Sequence, residues 1–113
     1  MTDYDFGDVV LVPFPFTDQT TLKKRPAVVA SSSVYNRKRP DVVLAAVTGH
    51  LKASSQFGEV AITKWKEAGL LKPSVIKPIF ATIEKSLLLR RLGQLSKEDR
   101  NTLQTTLRKL LGE

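Results

Sequence analysis

Lys23-Lys24-Arg25-Pro26-Ala27-Val28-Val29 and Asp41-Val42-Val43-Leu44-Ala45-Ala46-Val47-Thr48 are the two stretches whose reading decides the fold. Each is a β-type apolar run with a polar residue at one end: Arg25 enters the first and Thr48 leaves the second. The unbroken apolar character from Ala27 onward predicts a strand buried on both faces. If the two runs are neighbouring strands, a permanent cation and a hydroxyl meet at one edge of a small sheet. Such a pair could hold and help attack a phosphodiester.

Working outward, Gly7-Asp8 opens a strand through Val9–Phe14. Residues 15–24 form a long polar loop, of the kind that tends to carry function. The second strand is predicted over Ala27–Ser32, a basic turn over Ser33–Pro40, the third strand over Val42–Thr48 and a loop over 49–58. Glu59–Ile62 reads as a short strand. Thr63 then caps one helical turn through Trp65 and Ala68, which Gly69 ends.

Two further strands are expected at Val75–Ile83 and Ser86–Leu92, with Glu84-Lys85 turning between them. Pro78 lacks an N–H to donate, so it demands an edge strand or a bulge. The best-defined helix follows Gly93-Gln94-Leu95. Ser96 with Asp99 three residues on resembles a capping box. Leu103, Leu107, Leu110 and Leu111 recur at one-turn spacing, and Gly112 stops the helix. The whole predicts a mainly β fold, a small and strongly bent antiparallel barrel or sandwich with a C-terminal helix.

At 113 residues the chain is a single domain spanning 1–113. A hydrophobic share of 42% belongs to a globular rather than a disordered protein. The absence of cysteine excludes disulfides and thiolate metal sites, and a single histidine excludes a multi-histidine cage. No metal or cofactor is expected. The acidic start lacks the pattern of a signal peptide, and no apolar run approaches the roughly 20 residues of a membrane helix. A cytoplasmic protein without a membrane partner is therefore expected. The net charge of +7 favours a polyanionic partner, because exposed Lys and Arg gain by displacing counterions from phosphates.

Several segments resemble the PemK/MazF family, in the family's order and across essentially the whole chain. They are Gly7–Phe14, Lys24–Val29, Val42–Thr48, Leu71-Lys72-Pro73-Ser74-Val75, Arg91–Ser96 and the closing helix. The resemblance implies an SH3-like barrel with a C-terminal helix, acting as a homodimer. It implies the toxin of a bacterial type II toxin–antitoxin pair, a sequence-specific endoribonuclease that cleaves single-stranded RNA, usually mRNA, without a metal. The implied partners are that RNA and a cognate antitoxin whose acidic, disordered tail occupies the same basic groove. Operator DNA would be bound only through the antitoxin complex. CcdB-type gyrase poisons share the fold without the RNase activity. A non-catalytic inhibitor of a protein such as DNA gyrase, or a decayed RNA-binding module, therefore stays open.

Metal-free RNA cleavage needs proton transfer and positive charge on the phosphorane-like transition state. Arg25 matches the family's catalytic arginine, and a guanidinium grips phosphate bidentately where Lys cannot. Thr48 matches the family's Ser/Thr at the end of the third strand, suited to stabilisation rather than proton transfer. His50 has the one side chain that ordinarily titrates near neutrality; it is read as an RNA contact or surface residue. Some relatives carry an Asp near Ser74, where this chain offers Ser74 and Lys77. Phe16 and Phe57 could stack on unpaired bases, or tuck their loops into the core. Lys23, Lys24 and Lys77 are candidates to hold the RNA backbone, while Arg37, Lys38 and Arg39 read by default as a solvated turn.

Overall fold

The computed structural model describes residues 3–13, 24–49 and 56–112. Phe16, Lys23 and His50 lie outside the described residues. Six strands form one sheet: β1 Asp8–Pro13, β2 Lys24–Val29, β3 Asp41–Thr48, β4 Val60–Ile62, β5 Ser74–Glu84 and β6 Arg90–Gln94. Their spatial order is β4-β5-β3-β2-β1-β6, with every pairing antiparallel. Two helices complete the fold, α1 Ser33–Lys38 and α2 Lys97–Leu110.

The two deciding stretches are neighbours: Ala27 pairs with Ala46, Val28 with Ala45 and Val29 with Leu44. Successive side chains of a strand point to opposite faces, and here each face has its own core. Val28 packs with Val9, Ala45, Val47, Ile76 and Leu103, the last from α2. Ala27 and Val29 pack with Val10, Val12, Val42 and Leu44 on the other side. Both faces are covered, which is why the run needs no polar alternation.

β5 is long because it bends. Its second half pairs with the first half of β3, from Asp41 opposite Glu84 to Ala45 opposite Phe80. The register then shifts before Val47 meets Ile76, and the surplus residues on β5 bracket Pro78. A residue without an N–H stands where the ladder is interrupted, as the bulge reading expects. Below the shift, β5 also holds β4, with Val60 opposite Ile76.

The sheet curls until its outer strands approach each other. The turn at 63–69 after β4 lies on the backbone of β6, and two glycines permit it. A Cβ on Gly69 would stand 2.1 Å from the Leu92 carbonyl oxygen, and one on Gly93 would stand 2.6 Å from the Ala68 carbonyl oxygen. Gly69 also has a φ of 85°, which side chains resist. The result is a curled antiparallel half-barrel closed by a C-terminal helix, whose Leu103 is buried at its centre.

Several local expectations are corrected. The basic turn at 33–40 is helix α1, because Ser32 caps it by accepting from the Tyr35 amide at 3.2 Å. Asn36, buried on its inner side, donates to the Tyr4 carbonyl at 2.9 Å. β2 accordingly ends at Val29 rather than Ser32. The single helical turn expected here is present, with the Ala68 amide donating to the Lys64 carbonyl at 3.2 Å and Gly69 ending it, but Thr63 does not cap it; its hydroxyl donates to Asp99 at 2.8 Å. Ser96 does cap α2, accepting from the Asp99 amide at 3.2 Å. The Asp99 carboxylate, however, reaches across to Thr63 and to the Lys64 amide instead of back along its own helix. The last strand starts at Arg90 because Lys85–Leu87 form a 3₁₀ turn, and it pairs with β1, not β5. The leucine stripe of α2 runs out of the core by Leu111, which is 72% exposed. Among the described residues no helix is long and apolar enough to cross a membrane.

Candidate functional site

Arg25 stands near the start of β2, opposite Val12 of β1. Thr48 is the last residue of β3, opposite Val75 of β5. The pairing of β2 with β3 runs from Val29–Leu44 to Ala27–Ala46, and Arg25 and Thr48 each lie two residues beyond its last pair, at the same end of these two strands. The cation and the hydroxyl therefore share one end of the sheet. Arg25 is exposed there and Thr48 half-buried.

Ion pairs among the described residues join Arg39 to Asp41, Lys64 to Glu98, Lys77 to Glu59 and Arg91 to Asp8. Arg25 and its exposed neighbour Lys24 take part in none of them.

Lys77 differs. Its ammonium donates to Glu59 at 2.8 Å, and chiefly through that bond the Glu59 carboxyl is held below its ordinary range. Phe57 is 74% exposed on the turn before β4 and does not tuck into the core. Trp65 packs against the core, half-buried. Arg37 and Lys38 are exposed on the last turn of α1, whereas Arg39 lies over the Tyr35 ring and bonds Asp41.

Ser74, the position of the expected departure, is buried, and its hydroxyl donates to the Lys72 carbonyl at 2.9 Å. It fixes a turn and does not face outward as an acid or base. What sequence reasoning missed is Lys72 itself. Its side chain lies across Gly49, the residue after Thr48. The signal was present as a lysine just before β5 and a glycine just after β3, but only the β3–β5 pairing brings them together. Gly7-Asp8 proves to be a structural motif. The fully buried Asp8 carboxylate accepts from Arg91 at 3.0 Å, from Gln94 at 3.0 Å and from the Asp5 amide at 2.9 Å. Among the described residues no three His, Cys, Asp or Glu side chains converge as metal ligands would.

Solved structures of this fold include endoribonucleases and MazF toxins. An endoribonuclease from a Mycobacterial species, in complex with its cognate antitoxin, superposes with a TM-score of 0.74 at 22% identity, covering 99% of this chain and 96% of that one. MazF from Deinococcus radiodurans gives 0.74 at 21% identity, with 100% of both chains covered. Its MazE–MazF complex gives 0.75 at 23% identity, with 98% of both covered. No curated protein sequence matches the chain. Residues 5–111 match the family of PemK-like, MazF-like toxins of type II toxin–antitoxin systems, and the chain belongs to that family.

Proposed function

We propose that this toxin is a metal-independent endoribonuclease that cuts single-stranded RNA, mRNA in the cell, at defined sequences. What supports the reading is that Arg25 and Thr48 lie at the same end of the neighbouring strands β2 and β3, with no carboxylate among the described residues paired with the guanidinium. The 2′-oxygen of the RNA attacks phosphorus and the bond to the 5′-oxygen breaks. One proton leaves the former oxygen and one arrives at the latter. Charge grows on the non-bridging oxygens in between, and the Arg25 fork binds them more tightly in the transition state than in the substrate. The Thr48 hydroxyl hydrogen-bonds the same group. The products are a 2′,3′-cyclic phosphate, or the 3′-phosphate that follows from it, and a 5′-hydroxyl.

Lys24 and Phe57 extend the RNA contacts on the described surface, and Phe16, Lys23 and His50 belong to the same set. Lys77 joins them with its charge already shared with Glu59. The RNA lies across the groove of a homodimer. An apolar hollow lined by Ala30, Ser31, Val43, Phe80, Leu107 and Leu111 supports that assembly, with Ile79 and Leu111 exposed. The partner in the cell is a cognate antitoxin with an acidic, disordered tail that competes for the basic groove, as the +7 charge favours. Operator DNA is bound only through that complex, and the protein works in the cytoplasm.

The test is cleavage of a long single-stranded RNA in EDTA by the intact protein, Arg25→Ala and Thr48→Ala. Cuts at defined positions that vanish with Arg25→Ala are expected. No cutting by a folded intact protein, together with growth arrest, would favour a gyrase-type inhibitor instead.

A further inference from the structure

Gly49 follows β3 directly, and a Cβ on it would stand 2.1 Å from Cε and 2.9 Å from Nζ of Lys72. The ammonium therefore rests on the backbone next to Thr48, in space that only a glycine leaves open. Three features fix the backbone of Lys72 beside it. Ser74, buried on β5, donates its hydroxyl to the Lys72 carbonyl. Pro73 confines the residue before it to extended backbone. Val75, one residue beyond Ser74, is hydrogen-bonded into the sheet opposite Thr48.

Lys72 is exposed, and no carboxylate among the described residues pairs with it. β3 lies between β2 and β5. Thr48 is thus flanked by Arg25 on one side and by Lys72, which leads into β5, on the other. Two cations flank one hydroxyl at the end of three adjacent strands. A dianionic phosphorane is the species that such an arrangement fits, since its charge is spread over two non-bridging oxygens.

We propose that Lys72 is a third catalytic residue, its ammonium binding a non-bridging oxygen of the phosphate held by Arg25 and Thr48. This rests on the ribonuclease reading above. Gly49 is then a positioning residue, kept small so that the ammonium can reach the end of β3. Charge, not shape, is what Lys72 supplies, so Arg can replace it in large part and Ala or Gln cannot.

The experiment measures kcat and KM on the RNA in EDTA for the intact protein, Lys72→Ala, Lys72→Arg, Gly49→Ala and the Gly49→Ala/Lys72→Ala double variant, with thermal melts of each. Gly49 has no left-handed φ, and its obstacle is the far end of a flexible side chain, so alanine there moves the ammonium and little else. Lys72→Ala should lower kcat roughly 10- to 100-fold with an unchanged melt. Lys72→Arg should recover most of it, Gly49→Ala should fall in the same direction, and the double variant should be no slower than Lys72→Ala. Full kcat in Lys72→Ala, or losses that multiply in the double variant, would overturn the assignment.

A binding arm separates this from failure of the ribonuclease reading. Affinity for the same RNA is measured against salt for Arg25→Ala and Arg25→Ala/Lys72→Ala. If the intact protein cuts nothing, the catalytic reading fails. The phosphate contact still stands if loss of Lys72 lowers the salt slope by about one, and falls if the slopes coincide.

Discussion

Arg25 and Arg91 are both arginines on strands flanking β1, and the fold treats them oppositely. Arg91 on β6 bonds the buried carboxylate of Asp8 at 3.0 Å, donates to the Asp3 carbonyl and lies over the Tyr4 ring at 5.3 Å. Arg25 on β2 has no ion pair among the described residues. One guanidinium is used up in holding the N-terminal segment to the sheet; the other has no carboxylate partner among the described residues, and the proposed function assigns it to the RNA phosphate. Whether an arginine belongs to the fold or to the site is decided here by the carboxylates around it, which strand propensity does not reveal.

The sharpest way to break that comparison is to make the same change at both. Arg25→Lys keeps the charge but loses the planar fork, and should cost about 100-fold in kcat, or about 2.7 kcal/mol, with an unchanged melting temperature. Arg91→Lys should leave cleavage intact and lower stability by about 1 kcal/mol in denaturant titration. Cleavage lost at Arg91, or stability lost at Arg25, would erase the distinction.

Asp8→Ala tests the paired region directly. It removes the acceptor for Arg91, Gln94 and the Asp5 amide and leaves a polar hollow beside β1. Because Arg91 is 37% exposed and can recover water, the expected loss is about 2 kcal/mol, below that of a fully buried pair. Guanidinium unfolding of this variant reads it.

Lys24 and Lys77 repeat the contrast at smaller scale. Lys24→Ala should weaken RNA binding and lower its salt slope by about one, without affecting stability. Lys77→Ala removes the partner of Glu59, so stability should fall slightly while the salt slope changes less than with Lys24→Ala. Equal salt slopes for the two variants would show that the ion pair does not set Lys77 apart.

Much of this was legible in the sequence for physical reasons. The continuous apolar runs of β2 and β3 declared burial on both faces, Pro78 declared the interruption of β5, and Ser96 declared the start of α2. Arg25 and Thr48 stood out as polar residues at the ends of two apolar runs, and the fold sets those two strands side by side. What stayed hidden depended on contacts between distant segments. Asp99 looked like a cap for its own helix because local spacing cannot show Thr63, 36 residues away. Residues 33–38 looked like a turn because the cap at Ser32 was outweighed by their charge, and the burial of Asn36 against Tyr4 is a tertiary fact. Lys72 escaped notice because its neighbour is a glycine, which contributes room and no chemistry.

The smallest effect concerns acid. Asp41 is held below its ordinary value of 3.8, first by the Tyr35 hydroxyl and then by Arg39, and Glu59 is held below 4.5, first by Lys77. A carboxyl depressed in the folded state binds its proton less readily than in the unfolded chain. The stability it contributes is therefore complete above its ordinary value and is lost as pH falls through and below it. Both groups lie near the surface, so the loss is modest. Urea midpoints measured at about pH 6 and about pH 3 should fall for the intact protein, and should fall less for Asp41→Asn and Glu59→Gln, which give up that contribution beforehand. The Arg25 end of the sheet offers no described carboxylate partner to titrate. Arg25→Lys should therefore show the same acid loss as the intact protein, and a smaller loss would mean that an acid outside the described residues pairs with Arg25 after all.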